Sequence, residues 1–371
     1  MKIDQVEVIP IRIPNRVPMK LSTVLLEFQE NVLVRVRAGH LTGLGEAEPL
    51  GGFQGCEESQ ATIVPLIRGR FAPLLLGRNP FDVEKIVRDL EDVIWGNPYA
   101  KAAVINALYD LMAKALDLPL YQLLGGCYRE KIPVVWTIGI KDSREMVKEA
   151  LWALERGFKL LKLKIGALDP QADVENISAV REAVGPKIGL RVDANGALSF
   201  TQALSLLRKL APFDLELVEQ PLPIWDLEGM ARLIELLGIP IMPDESLHSL
   251  QSALELVKRK AASIFGMKLS KHGGIYYAQR IAAIAQAAHL PIYPGNQPST
   301  SVGSATAAHF YAATWNATLG GDFHVGPAGW LADDIVKNPL VIQNGYALVP
   351  QGIGIGMELD EDKLAKYVVK I

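Results

Sequence analysis

Residues 2 to 13 alternate apolar and polar side chains, the period of a half-buried strand. Ser22 to Phe28 and Asn31 to Arg37 read as two more strands, with the polar pair Gln29-Glu30 between them as the expected turn, so an antiparallel sheet opens the chain. From about Glu57 to Leu116 the spacing becomes helical. Ile63, Val64 and Ile67 share a face, then Val83 to Trp95 and Ala102 to Leu116 follow, with Pro80 and Pro98 at helix boundaries. Strands followed by helices make residues 1–125 an α+β domain. Two of its connections, Pro14 to Leu21 and Pro49 to Cys56, are polar or glycine-rich, and loops on a rigid scaffold are common carriers of selectivity. Phe53, next to Gly51-Gly52, is the candidate apolar wall of a mobile lid over a site.

After Leu123-Leu124-Gly125-Gly126 the pattern changes again. Short β-branched runs near Val134 to Ile140, Leu160 to Ile165, Gly189 to Asp193, Leu215 to Glu219, Ile239 to Met242, Ser263 to Lys268, Pro291 to Tyr293 and Ala317 to Asp322 alternate with amphipathic stretches such as Ser143 to Arg156 and Ser199 to Leu210. That alternation predicts a parallel (β/α) barrel over residues 126–335. Beyond it, Leu340 to Gln343 and Tyr346 to Val349 flank Asn344-Gly345, a pair suited to a type I′ hairpin. This tail, residues 336–371, is expected to return to the N-terminal sheet rather than to the barrel.

A chain of 371 residues, 49% hydrophobic and 21% charged, has the composition of an ordinary globular protein with a large core. A net charge of −3 offers no basic surplus, which argues against nucleic acid or an anionic membrane as partner. Cys56 and Cys127 have neither metal-ligand spacing nor a disulfide framework. No apolar run reaches the roughly 18 residues of a membrane span and the N-terminus lacks a signal-peptide core, so a cytoplasmic location is expected.

The candidate chemistry lies at the strand ends. Lys164, Asp193, Glu219, Asp244 and Lys268 close the second to sixth barrel strands, one βα unit apart, which puts all five at one height at the C-terminal mouth. Singly, each carboxylate could cap the next helix. Jointly, Asp193, Glu219 and Asp244 converge as three hard oxygen donors suited to Mg²⁺, with Mn²⁺ as a substitute. Lys162 and Lys164 are two apart in a strand and therefore share a face. Alternating lysines are common on exposed edges, but beside these carboxylates the pair reads as chemistry. Each ammonium disfavours protonation of the other, and desolvation acts the same way, a route to one neutral lysine that serves as a base. Lysines on strands either side of the metal ligands suit removal of a proton α to a carboxylate and its return to the opposite face, through an ene-diolate that the metal stabilises.

The ordered set Lys162-Leu163-Lys164, Val192-Asp193-Ala194-Asn195, Val218-Glu219-Gln220-Pro221, Pro243-Asp244-Glu245-Ser246 and Lys268-Leu269-Ser270-Lys271-His272-Gly273-Gly274 resembles the motifs of the enolase superfamily, muconate lactonizing enzyme subgroup. The resemblance implies a (β/α)7β modified TIM barrel under an N-terminal α+β capping domain, the latter completed by the C-terminal tail. It also implies Mg²⁺ on Asp193, Glu219 and Asp244, acid/base lysines at Lys164 and Lys268, and electrostatic help from Lys162. Asn195 and Glu245 would be neighbours of metal and substrate. One departure is Ser299, which stands where the subgroup carries the Glu of a Met-Leu-Glu run. Asp322-Phe323-His324 is similar to the Asp-x-Asp with which dipeptide epimerases bind a substrate ammonium, but His324 replaces the second Asp and reads as a structural histidine. Asp322 either meets a cationic substrate or binds a helix N-terminus.

The expected function is thus a Mg²⁺-dependent isomerase acting on a small-molecule carboxylate. Racemase or epimerase of an amino-acid-derived acid comes first, muconate-type cycloisomerase second and dehydratase third. A catalytically silent binding protein is the non-enzymatic alternative. A homo-oligomer is expected.

Overall fold

The computed structural model describes residues 1–20, 25–50, 55–167, 169–325 and 329–371. β1 (Gln5–Lys20) pairs antiparallel with β2 (Leu25–Ala38), and β3 (Leu41–Ala47) adds to the far edge of β2. Gln29-Glu30 is not a turn, because both residues lie inside β2 opposite Ile13 and Arg12. Polarity marks a turn only where water satisfies it. Here buried Gln29 donates to Asn15 Oδ1 at 3.3 Å, and buried Asn31 donates to Glu46 Oε1 at 2.8 Å. The expected Pro14–Leu21 loop is likewise strand as far as Lys20, with a shift of pairing register between Pro14 and Met19. Leu21 and Phe53 lie outside the described residues. The helix Pro98–Ala115, opened by its proline, packs on β3 at backbone distance: a Cβ on Gly45 would stand 2.0 Å from the Ala103 carbonyl.

β4 (Lys131–Pro133) leads into the barrel. β5 (Val135–Ile138), β6 (Leu160–Lys164), β7 (Gly189–Asp193), β8 (Leu215–Glu219) and β9 (Ile241–Met242) form one parallel sheet in chain order. β10 (Phe265–Met267) and β11 (Ile292–Pro294) pair with each other. Backbone hydrogen bonds close the ring: Ser263 N to Ile241 O at 2.9 Å, Asp322 N to Pro294 O at 3.1 Å, and Val135 N to Gly321 O at 2.8 Å. The eighth strand, expected over Ala317 to Asp322, is reduced to a bridge between Val134 and Gly321. Close approach replaces a ladder there, since a Cβ on Gly321 would lie 1.9 Å from the Pro294 carbonyl. Between strands the helices form where expected; Ser199 caps Phe200–Leu210 in a reciprocal box with Gln202.

The tail corrects its expectation. β12 (Ile342–Gln343) and β13 (Tyr346–Leu348) form the hairpin, with Asn344 and Gly345 at φ of 51° and 74° as a type I′ turn requires. β13, however, pairs with β4 at the entry to the barrel, Ala347 opposite Ile132. The turn packs on Gly157, where a Cβ would lie 2.8 Å from Asn344 Cα, and this contact fixes the hairpin to the barrel floor. The final residues do reach the N-terminal sheet, through a bridge between Ile11 and Val368. Among the described residues no helix is long and apolar enough to cross a membrane.

Candidate active site

In β6 the alternation sends Leu161 and Leu163 into the core and Lys162 and Lys164 to the barrel interior. Ladder register then sets the level. Lys164 pairs with Asp193 and Asp193 with Glu219, so these three strand-end charges stand side by side. The ladder partner of Glu219 in β9 is Met242, and Asp244 lies two residues beyond it. The single level expected for all five therefore holds for three, with Asp244 one step further out. Lys268 follows β10 directly. Lys162, Lys164, Asp193, Asp244 and Lys268 line one cavity, which Asn195, Glu245 and Asp322 also line. Glu219 is buried and joins the group through Lys162. Ser299 sits behind the wall: its Oγ accepts from Asn296 Nδ2 at 2.9 Å and lies 2.7 Å from Ser304 Oγ, and Asn296 is the residue that reaches the cavity.

Every lysine in the site is held by a carboxylate. Lys162 Nζ donates to Glu219 Oε2 at 2.8 Å and Asp322 Oδ2 at 3.0 Å. Lys164 Nζ donates to Asp193 Oδ2 at 2.5 Å and Asn195 Oδ1 at 2.7 Å, and Asn195 Nδ2 continues to Glu245 Oε1 at 3.0 Å. Lys268 Nζ donates to Asp244 Oδ2 at 2.5 Å, and Lys271 to the other oxygen of the same carboxylate. Burial alone would lower Lys162, but Asp322 and Glu219 outweigh it and hold the ammonium well above the ordinary lysine range. Lys268 is raised for the same reason, burial being overcome by Asp244 and Glu219. Asp322 lines the cavity and pairs with Lys162 rather than with a helix N-terminus. Burial would raise it, but Lys162, then His324 and Lys268, bring it down to about 2.

The carboxylates show the opposite stress. Burial, then the charges of Asp193 and Asp244, push Glu219 well above the usual range despite Lys162. Burial and Asp244 bring Glu245 to about 7, and its Oε2 is buried without a hydrogen-bond partner. Among the described residues no three carboxylate, imidazole or thiol groups stand gathered as a ready metal shell; ammonium groups hold Asp193, Glu219 and Asp244 instead. The donor set nevertheless fits a hard divalent cation. Three carboxylates come from consecutive strand ends, and the raised Glu219 and orphaned Glu245 oxygen are what an excess of convergent negative charge produces.

Other residues of the site escaped the sequence reading. Lys271 shares a helical turn with Lys268, and the i, i+3 spacing was a readable signal. Tyr99 comes from the capping domain and accepts from Gln297 Nε2 at 3.2 Å. Trp330 stacks on His324, ring centroids 4.2 Å apart, and burial, reinforced by Lys162, takes His324 down to about 4. The Pro49–Cys56 connection, which the sequence had marked out, lies at the cavity through Leu50, Gly55 and Cys56. The arrival of Tyr99 and Trp330 is tertiary, and nothing local in the sequence announces it.

Residues 3–125 match the family described as mandelate racemase/muconate lactonizing enzyme, N-terminal domain, and residues 145–363 match the enolase C-terminal domain-like family. A chloromuconate cycloisomerase of Cupriavidus necator is 37% identical over 369 residues, 99% of each chain. The crystal structure of muconate lactonizing enzyme from Pseudomonas fluorescens complexed with muconolactone superposes with a TM-score of 0.95, at 34% identity over 99% of both chains. That of an N-succinyl Arg/Lys racemase from Bacillus cereus gives a TM-score of 0.94 at 31% identity, covering 100% of this chain and 99% of the other.

Proposed function

This chain belongs to the mandelate racemase/muconate lactonizing enzyme family of the enolase superfamily and is an isomerase, and we propose that within that family it works as a cycloisomerase of the muconate type. The reading replaces the amino-acid racemase that the sequence alone put first. Similarity along the whole chain to a chloromuconate cycloisomerase supports the change. The observation that carries the chemistry is that Lys164 and Lys268, from the second and sixth strands, open onto one cavity with their ammonium groups on different carboxylates.

In the forward reaction one carboxylate of a conjugated diene diacid adds to the double bond conjugated with the other. A C–O bond forms, the electron pair moves into the second carboxylate to give an ene-diolate, and a proton delivered to the α-carbon completes the lactone. Lys164 delivers that proton and recovers one from solvent. Asn195 steers the Lys164 ammonium, and Asp193 keeps it within reach. Lys268, held charged by Asp244, faces the developing negative charge without giving up its own proton. Asp193, Glu219 and Asp244 would hold Mg²⁺, or Mn²⁺ in its place, and the cation when bound supplies Lewis-acid stabilisation of the substrate carboxylate. His324 and Trp330 form an uncharged wall against the diene.

A second reading has its own support in the fold shared with the N-succinyl Arg/Lys racemase: the same two lysines would exchange the α-proton of an N-succinyl amino acid. One experiment separates the two. With Mg²⁺ in D₂O, muconate and chloromuconates are followed by loss of diene absorbance and by NMR, alongside N-succinyl-lysine and N-succinyl-arginine. Diene consumption with one deuterium at the lactone α-carbon is expected. α-Deuteration of the succinylated amino acids with the dienes untouched overturns the cycloisomerase reading in favour of the racemase.

A further inference from the structure

We propose that Glu48 is a positioning residue, which locks the root of the capping-domain loop lining the cavity onto the helical turn that follows Lys268. Glu48 comes directly after β3 and two residues before Leu50, the first of the loop residues in the cavity wall. It is buried, and its carboxyl accepts a hydrogen bond from Ser270 Oγ, across the junction between the capping domain and the barrel. Ser270 lies between Lys268 and Lys271, both of which are bound to Asp244. Movement of Ser270 therefore moves two of the cations in the site. On its other side Glu48 abuts Gly303, where a Cβ would lie 2.2 Å from Glu48 Oε1 and 3.1 Å from Glu46 Oε2. The absence of a side chain at 303 makes room for both carboxyls.

Donors are distributed unevenly between the two. Glu46 receives Asn31 Nδ2 at 2.8 Å, Thr300 N at 3.0 Å, Thr300 Oγ1 at 2.6 Å and Gly303 N at 2.9 Å. Glu48 has the Ser270 hydroxyl and its own backbone N–H. Burial raises both carboxyls, but the four donors oppose the rise at Glu46, so Glu48 is the one of the pair that keeps its proton. Burial first and the Glu46 charge second push Glu48 well above the ordinary carboxylate range. Glu46, on the same strand end, is the charged group that faces it; Lys268 and Lys271, from the packed turn, are directed to Asp244, and Gly303 contributes no side chain. The inference rests on the proposed function only in taking Lys268 as part of the reacting machinery.

The test uses the full-length protein and three variants, E48A, S270A and E48Q. E48A and S270A should lower kcat about 10- to 100-fold with a smaller change in KM, the cost of a sub-ångström misplacement of the reacting groups. E48Q, isosteric with the protonated acid, should recover most of that loss. Stability supplies an arm that needs no substrate. An unfolded Glu titrates near 4.3, whereas the folded Glu48 keeps its proton, so parental stability declines as pH rises above about 4.3. E48Q lacks that decline, and its Tm advantage over the parent should grow from pH 5 to pH 9. Parental kcat in both E48A and S270A overturns the positioning role. E48Q as impaired as E48A, or a Tm difference independent of pH, overturns the protonated carboxyl. If E48A does not fold, S270A carries the kinetic test. If the cycloisomerase assay shows no turnover, the stability arm still decides whether Glu48 is the protonated latch.

Discussion

The two halves of the barrel are built by different means. From β5 to β9 one continuous parallel sheet, with a single register shift between Leu190 and Arg191, sets both the direction and the level of each side chain. From β10 onward the pairing is divided into a separate β10–β11 pair and a single bridge, and glycines at backbone contact take over. A Cβ on Gly266 would stand 2.9 Å from the Pro243 carbonyl, on Gly295 2.5 Å from that of Met267, and on Gly321 1.9 Å from that of Pro294. The ladder half delivers Lys162, Lys164, Asp193 and Glu219, groups that any α-proton chemistry at a carboxylate would use. The closing half and its loops deliver Lys268, Asn296, Gln297, Asp322, His324 and Trp330 to the cavity wall. Under the proposed function the ladder half carries Lys164 and the closing half carries Lys268, so the reacting groups stand on parts of the barrel with different structural rules, and that division can be tested.

The sharpest test removes one lysine from each half. Lys164→Ala should cut turnover by about 10²–10⁴-fold, the range for loss of a general acid or base, while Lys268→Ala, which removes electrostatic help, should cost less. Steady-state kcat and deuterium incorporation from D₂O measure both. Equal losses would erase the distinction between the halves. Next in size, Glu219→Gln removes one of three hard donors and should weaken Mg²⁺ binding at least about tenfold by calorimetry. Unchanged affinity would place the metal away from the ladder.

A third test concerns packing alone. Gly321→Ala drives a methyl group into a carbonyl that cannot yield, and should cost about 3 kcal/mol in urea unfolding. Gly189→Ala, in the ladder half, meets side-chain atoms of Glu216 and Leu160, which can swing aside, and should cost well under half of that. Similar losses would mean that the closing half is no more dependent on close backbone approach than the ladder.

The same division explains what could be read from the sequence. Five charged strand ends at βα spacing were legible because period and register are local rules, and the family motifs follow them. Gln29-Glu30 misled because the partners that satisfy buried Gln29, and Asn31 beside it, come from other parts of the sheet. The partner of Lys162 was hidden for a related reason: Lys164 was visible two residues away, but Asp322, 160 residues on, was not. The eighth strand failed because Gly320-Gly321 encodes contact rather than a ladder, and Glu46 with Glu48 gave no signal because burial, not pattern, makes them unusual.

The smallest expected effect lies at His324 and tests whether the closing half answers to pH on its own. Its imidazole is buried, stacked on Trp330 and brought to about 4 by burial, with Lys162, Lys268 and Lys164 adding to the shift and Asp322 opposing it. An unfolded histidine titrates near 6.5. Between those values the unfolded chain binds a proton that the folded chain refuses, so stability falls as pH falls from about 6.5 toward 4. His324→Gln removes this dependence and also loses the ring stack, but the stack contributes the same offset at every pH. Other shifted groups, Glu245 and His309 among them, act in parent and variant alike and cancel in the difference. The stability gap between parent and variant should therefore shift in favour of the variant by roughly 1 kcal/mol between pH 6.5 and 5.5 in paired urea titrations. A gap constant across that interval would mean that folded His324 accepts a proton freely. Asp322 would then outweigh the three lysines and the burial at that position, and the wall facing the substrate would carry charge at mildly acidic pH.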